Sequence, residues 1–324
     1  MFTIEQLQQK ISEEINKVDF SSKPASLYEP IKYTLEAGGK RIRPALVLAA
    51  CNIFSEDIEN AIPVALAFEV FHNFTLLHDD IMDNSPIRRN KETVHVKWND
   101  NIAILSGDAM MIKAYGFLNY LPANLLKEIF PVFNKTALEV CEGQQYDMDF
   151  ETTENVSEKD YLEMIKLKTS VLIAASLKAG AICGGANKTD ADLLYNFGLN
   201  IGLAFQLQDD LLDVYADTDV FGKQTGNDII TGKKTFLLIN AMEKANDETL
   251  KELNNLISDR KIDKQEKVAK VTYIYNSLGI KELTEGEIYQ FHNKAINSLN
   301  SLSVGKGKKE VLLSFADLIM KREK

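Results

Sequence analysis

Apolar residues recur along this chain at intervals of three and four, in runs too long for ordinary strands. Leu193 to Leu212 keeps that spacing throughout, and Tyr161 to Ser176 is apolar along one side. Two further runs, Ala65 to Leu77 and Phe197 to Leu207, are largely apolar, and each leads into a cluster of aspartates. Short alternating Val, Ile and Thr runs between turn residues, which would read as strands, are scarce, and prolines number seven. The pattern predicts an all-α protein. Length alone, 324 residues, would suggest two domains, but no Pro/Gly/Ser-rich linker or change of composition divides the chain. A single domain over residues 1–324 is therefore expected. No apolar stretch reads as long enough to span a bilayer, and Met1 to Lys17 lacks a signal peptide's apolar core. Both readings point to a soluble, cytoplasmic protein without a transmembrane segment.

Composition and charge narrow the function. A hydrophobic content of 45% is enough for a large core. The net charge of −10 argues against a nucleic-acid partner, which calls for a basic face. Cys51, Cys141 and Cys183 form no C-x-x-C pair, so they are expected as reduced, buried small hydrophobes rather than zinc ligands.

The aspartate clusters share one form. His78-Asp79-Asp80-Ile81-Met82-Asp83 and Gln208-Asp209-Asp210-Leu211-Leu212-Asp213 both read D-D-x-x-D. At about 100° per residue, Asp79 and Asp83 project from one helix face, as do Asp209 and Asp213. Carboxylates stacked beside sequence that favours burial are costly unless positive charge compensates them. An oxygen-only donor set suits Mg²⁺, which keeps waters and binds substrate phosphates as well. One such cluster could equally be a helix end or a solvated face; two copies, each trailing an apolar helix, favour a metal–diphosphate site. Neither has the D-x-D-x-D-G spacing of an EF-hand.

Several basic motifs could answer this acidity. Gly38-Gly39-Lys40-Arg41-Ile42-Arg43-Pro44 closes one helix and precedes another, placing a point charge at Lys40 and a planar fork at Arg43. A helix C-cap with basic residues complementing the dipole is the alternative. Asn84-Ser85-Pro86-Ile87 forms a turn leading to Arg88-Arg89, whose side chains point different ways and could hold different anions, or could be a solvated pair. Lys168-Thr169 interrupts a helical run, and Phe221 to Thr235 is a glycine-punctuated stretch with Gly-Lys pairs at Lys223 and Lys233. That stretch could close over phosphates or be a plain connection.

Taken in order, G-G-K-R-x-R-P, D-D-x-x-D with R-R beyond it, G-Q-x-x-D (Gly143, Gln144, Asp147), K-T, F-Q-x-x-D-D and G-K-x-x-G-x-D-x-x-x-G-K resemble the trans-isoprenyl diphosphate synthases of the short-chain farnesyl/geranylgeranyl type, also called polyprenyl synthetases. The resemblance spans about residues 25–240. It implies a single all-α bundle around a central cavity, a homodimer, and head-to-tail condensation of isopentenyl diphosphate with an allylic diphosphate. It also implies Mg²⁺, about three ions bridging the aspartates to the allylic diphosphate. By matching positions, Asp79, Asp83 and Asp209 are metal ligands, with Asp80, Asp210 and Asp213 supporting or water-mediated. Lys40, Arg43, His72 and Arg89 match the isopentenyl diphosphate site. Arg88, Lys168, Thr169, Gln206, Lys223 and Lys233 match the allylic diphosphate site. Lys168, Thr169 and Gln206 would sit near the carbocation, and the released diphosphate would take the proton. The family often has R-R-G-x-P-T where this chain has Arg88-Arg89-Asn90-Lys91-Glu92-Thr93. Asn90 can adopt the left-handed conformation glycine favours, whereas Glu92 gives up proline's fixed φ and is expected to loosen the loop.

In the family, bulky residues upstream of the first cluster stop the growing tail; here these positions are Phe71, Phe74 and Thr75. Helix geometry puts Thr75 about 40°, Phe71 about 80° and Phe74 about 140° from the Asp79 direction. Phe71 lies about 12 Å down the axis, a depth that suits a C15 to C20 product. Ordinary core packing is the alternative for both rings. A terpene cyclase would share the fold but need no second cluster and no Lys40/Arg43/Arg89 set. A non-catalytic subunit of a heteromeric prenyl synthase should have lost a cluster, and this chain has both.

Overall fold

The computed structural model describes residues 2–216 and 225–320. Helices α1 (Ile4–Lys17), α2 (Ala25–Glu36), α3 (Ile42–Phe54) and α4 (Ala61–Met82) are followed by a hairpin of β1 (Ile87–Arg88) and β2 (Lys91–Glu92). Then come α5 (Val94–Lys97), α6 (Asp100–Leu118), α7 (Ala123–Thr152) and α8 (Glu158–Ile165). A π-helical turn, Lys166–Ser170, joins α8 to α9 (Val171–Cys183), and α10 (Lys188–Tyr215) follows. Six further helices run from Asn227–Thr231 to Lys306–Met320. The all-α expectation holds, with the short antiparallel hairpin as its one sheet among the described residues.

Local chemistry sets many of the boundaries. At α1 the Thr3 hydroxyl accepts from the Gln6 N–H while the Gln6 side chain accepts from the Thr3 N–H, a reciprocal cap. Ser157 and Asp160 repeat the device at α8.

The chain divides into two compact units: Met1–Asn134 with Ala175–Tyr195 and Ser303–Val311, and Lys135–Ala174 with Asn196–Leu302 and Leu312–Lys324. Each is assembled from three separate stretches, so no linker marks the division in the sequence. In the first unit α4 packs against α3 and α6, burying Leu46, Val47, Phe68, Val70 and Phe71. The second has its own apolar cluster, including Tyr161, Met164, Leu207, Phe236, Ile274 and Tyr275.

Two expectations are corrected. Helix α4 is long and apolar enough to cross a membrane by length and composition, yet 72% of its apolar window is buried inside the fold. Its apolarity serves a core helix covered on several sides. The cysteines are all free, as expected, but Cys51 is the buried one; Cys183 is partly exposed and Cys141 exposed. Cys141 and its neighbour Glu142 lie on the side of α7 that stays open to solvent.

Candidate active site

The first aspartate cluster ends α4. Met82 is the last helical residue and Asp83 is the cap, its N–H donating to the Asp79 carbonyl over 2.9 Å, so the i, i+4 relation between these aspartates is kept. Asp79 is partly exposed and Asp83 exposed, whereas Asp80 is buried. Arg88 from β1 donates through Nε to Asp80 Oδ1 at 2.7 Å and lies 3.9 Å from Asp79 Oδ2. Burial pushes the Asp80 carboxyl up from the ordinary carboxylate range, and the Arg88 charge opposes that rise.

The hairpin that carries Arg88 reverses through Arg89 and Asn90, whose φ values are +52° and +60°. Two consecutive left-handed residues are the signature of a type I′ turn, so Asn90 replaces the family's glycine without losing the turn. Glu92 does not leave the loop untethered either: its carbonyl accepts from the Tyr33 hydroxyl at 2.9 Å. The turn aims Arg89 away from Arg88: its guanidinium donates to the Gly38 carbonyl and reaches Asn73 Oδ1 at 3.5 Å. Gly39 is required there. Its φ is +133°, and a Cβ would stand 2.7 Å from the Arg89 guanidinium carbon.

Three of the four residues matched to isopentenyl diphosphate converge in the same unit. Arg43 Nη1 lies 3.2 Å from His72 Nε2. Since a guanidinium can only donate, His72 accepts and is neutral. Burial, reinforced by the Arg43 charge, holds its pKa well below the usual value. Arg89 reaches α4 at Asn73, next to His72. Lys40 is exposed on the loop, which Gln8 ties down at the Lys40 carbonyl. Sequence reasoning passed over Arg41, Glu69 and Asn73, which are joined beneath these side chains. The signal was there: Glu69 and Asn73 are polar residues four apart in a largely apolar run.

Upstream on α4, Phe71 and Phe74 are buried with ring centroids 5.5 Å apart. Phe71 also meets Phe133 at 5.5 Å, and Phe74 meets His78 at 4.8 Å. The rings form one continuous aromatic block. Thr75 is partly exposed, its hydroxyl donating to the His72 carbonyl at 2.8 Å.

In the second unit the K-T motif falls in the π-helical turn, where the extra residue per turn displaces Lys168 and Thr169 from a regular helical position. Helices α7 and α10 press against that turn through glycines: a Cβ on Gly143 would lie 2.2 Å from the Lys168 nitrogen, and one on Gly202 2.7 Å from Ser170 Cα. Lys168 Nζ contacts Asp147 Oδ2 at 2.6 Å, and Lys233 Nζ approaches the other oxygen at 4.0 Å. The glutamine-to-aspartate spacing of G-Q-x-x-D thus places a carboxylate between two lysines matched to one diphosphate.

The second cluster lies on α10. Asp210 is buried, accepting from the Tyr161 hydroxyl on one oxygen and from Gln206 Nε2 at 3.2 Å on the other. Thr169 Oγ1 donates to Gln206 Oε1 at 3.4 Å, so one chain of hydrogen bonds runs Thr169, Gln206, Asp210, Tyr161. Burial raises the Asp210 carboxyl to about 7, the Tyr161 hydrogen bond acting against that rise. Asp209 and Asp213 are partly exposed. Asp213 Oδ2 accepts from the Asp228 N–H at 3.0 Å, tying the cluster to the helix Asn227–Thr231. Asp228, partly buried beside the charge of Asp213, is raised to about 6. Tyr161 was not foreseen, and Asp228 was marked only as the aspartate of the last motif, without a role. Lys223 lies outside the described residues.

The donor chemistry fits Mg²⁺: in each cluster the middle aspartate is engaged by protein donors, while the flanking pair on one helix face is more open. Among the described residues no three His, Cys, Asp or Glu side chains converge to cage an ion unaided. Mg²⁺ generally takes one or two carboxylates and completes its shell with water and substrate phosphates.

Residues 24–278 match the family model described as polyprenyl synthetase. The chain is 46% identical over 226 residues to the geranylgeranyl diphosphate synthase of Methanosarcina mazei, covering 69% of each protein. It is 37% identical over 320 residues to the short chain isoprenyl diphosphate synthase of Methanothermobacter thermautotrophicus, 98% of this chain and 96% of that one. A crystal structure of a geranylgeranyl pyrophosphate synthase superimposes with a TM-score of 0.94 at 41% identity, covering both chains completely.

Proposed function

This chain belongs to the polyprenyl synthetase family, and we propose that it joins isopentenyl diphosphate head-to-tail to an allylic diphosphate, releasing a C15 to C20 prenyl diphosphate. The observation that carries this reading is the pair of intact D-D-x-x-D clusters, each with a buried middle carboxylate and a more open flanking pair. Residues 1–324 act as one catalytic domain in this proposal, since each unit carries one of the clusters on which the reaction depends.

Asp79, Asp83 and Asp209 would hold Mg²⁺, with Asp80, Asp210 and Asp213 in support. When bound, Mg²⁺ supplies positive charge that stabilises the departing diphosphate. Lys168, Lys233, Arg88 and, by its motif, Lys223 bind the allylic diphosphate and donate to its oxygens as negative charge builds there. Substrate phosphate would compete with Asp147 for the two lysines and with Asp80 for Arg88. Lys40, Arg43, Arg89 and neutral His72 hold isopentenyl diphosphate. Thr169 and Gln206, already hydrogen-bonded to each other, orient their oxygen dipoles toward the allylic cation, and the released diphosphate accepts the final proton. No protein nucleophile is needed.

A homodimer belongs to the same proposal. Leu105 and Ile112 on α6 are 58% and 68% exposed on a helix that is apolar around its circumference, a face that a second copy would cover. A cytoplasmic location belongs to the same proposal.

The test is purified protein with Mg²⁺, labelled isopentenyl diphosphate, and dimethylallyl, geranyl or farnesyl diphosphate in separate reactions, with the dephosphorylated products sized by chromatography. A linear C15 or C20 alcohol is expected. No incorporation, or a cyclic hydrocarbon from one substrate alone, would overturn the reading. Because Phe71 and Phe74 form one aromatic block, Phe71→Ala and Phe74→Ala are each expected to shift products at least one isoprene unit longer. Unchanged product length in both variants would assign the rings to packing alone.

A further inference from the structure

We propose that Glu69 is the positioning residue for isopentenyl diphosphate, acting through Arg41 on the glycine loop and through Asn73 on Arg89. The inference rests on the assignment of Lys40, Arg43, His72 and Arg89 to that substrate, and extends it to three residues that touch no substrate.

Glu69 is a carboxylate inside the apolar body of α4, with its side chain 3% exposed. Its Oε1 accepts from Arg41 Nη1, a guanidinium that is itself 8% exposed. Arg41 also donates through Nη2 to the Leu35 carbonyl in the last turn of α2. The backbone of Arg41 is left-handed, φ +48°, immediately before α3 begins. That conformation is uncommon for a residue with a Cβ and persists where surrounding contacts impose it. The ion pair therefore holds in place the residue that lies between Lys40 and Arg43.

The second arm runs along α4. Asn73, fully buried, donates to both the Glu69 carbonyl and Glu69 Oε1 at 2.8 Å. With its amide nitrogen used on Glu69, the orientation of the Asn73 side chain is fixed, and Oδ1 faces Arg89 at 3.5 Å. The same Arg89 nitrogen, Nη1, also donates to the Gly38 carbonyl. One carboxylate thus reaches the loop through Arg41 and the type I′ turn through Asn73.

Charge points the same way. Arg41, Arg43 and Arg89 lie within electrostatic reach of Glu69, and His72 is neutral. Glu69 lets these guanidiniums share a small volume, and with Asp80 paired to Arg88 a surplus of positive charge remains, as a diphosphate requires. Burying the Arg41–Glu69 pair carries a desolvation cost, and apolar replacements of such pairs are often neutral or stabilising. A purely structural role predicts that such a replacement is silent; a positioning role predicts that it is not.

The experiment compares Glu69→Gln, Asn73→Leu and the double variant Arg41→Met/Glu69→Met with wild type, measuring KM for each substrate, kcat and Tm. Each variant is expected to raise KM for isopentenyl diphosphate about tenfold, equivalent to about 1.4 kcal/mol. KM for the allylic diphosphate is expected to stay within about twofold, and Tm of the double variant near wild type. Arg89→Ala is the reference. If it leaves KM for isopentenyl diphosphate unchanged, the assignment of that substrate's site fails. If Arg89→Ala raises KM while the double variant and Asn73→Leu, both folded, keep wild-type KM for both substrates, the positioning role is overturned. Should Glu69→Gln fail to fold, the double variant and Asn73→Leu still separate these outcomes.

Discussion

Asp80 and Asp210 occupy the same place in the same motif, and both are buried, yet they are held by different chemistry. Asp80 meets a cation: Arg88 binds it at 2.7 Å from a neighbouring hairpin. Asp210 meets neutral donors, the Tyr161 hydroxyl and the Gln206 amide. The consequence appears in their protonation. Burial raises both; the Arg88 charge opposes the rise at Asp80, and Asp210 rises to about 7 against its Tyr161 hydrogen bond. The difference separates motif from mechanism. Four carboxylates at i and i+4 are set by spacing and are more exposed than their middle neighbours, while each middle carboxylate is an anchor whose partner was chosen by the local fold. In the first cluster that anchor is one of the cations a diphosphate would recruit. In the second it belongs to the chain that aligns Gln206 and Thr169.

Substitution can break this comparison at several levels. The largest effects are expected at the flanking positions, where the clusters should behave alike. Asp79→Ala and Asp209→Ala should each lower kcat about 10²–10³-fold, the range seen when one stabilising group for developing charge is lost. Steady-state assays at saturating Mg²⁺ measure this, and wild-type turnover in either variant would remove that cluster from the reaction. The clusters should diverge at their anchors. Tyr161→Phe leaves a buried carboxylate oxygen without its donor, and chemical denaturation should show a loss of about 1–3 kcal/mol. Arg88→Met likewise leaves the buried Asp80 carboxylate without its donor, so its stability cost should be of the same order, about 1–3 kcal/mol. Its signature should be kinetic, a raised KM for the allylic diphosphate. An unchanged KM for the allylic diphosphate in the Arg88 variant would erase the distinction.

The smallest effect concerns pH. His72 has its folded-state pKa depressed well below 6.5, so it contributes stability that is present above the ordinary histidine value and lost as pH falls through the folded one. His72→Gln keeps an acceptor for Arg43 without the titration. Between pH 7.5 and about 5 the variant should therefore lose less Tm than wild type. Parallel Tm profiles would mean that His72 is protonated in the folded protein.

Much of this was legible in the chain. The apolar periodicity gave the helices, and the ordered motifs marked the basic and acidic positions later found at the site in each unit, with Glu69 the exception. The turn at Asn90 survives for the reason its side chain suggested, and the π-helical turn falls on the Lys168-Thr169 pair that interrupts its run. What escaped was pairing. Arg41 finds Glu69 across 28 residues, Tyr161 finds Asp210 across 49, and Arg89 finds Gly38 across 51. The exposure of Cys141 escaped for a related reason, since composition states what a residue favours and not what covers it.

The sequence by itself determined whatever depends on neighbours within a turn or two: helix type, the shared face of each aspartate pair, and the glycines that permit close approach. Backbone geometry fixes these relations, because residues four apart on a helix always meet. Only the tertiary structure decided which aspartates stay open and which are tied down, and which buried carboxylate orders the arginines. Those outcomes depend on desolvation and on partners brought together by packing, and neither is encoded at any fixed spacing.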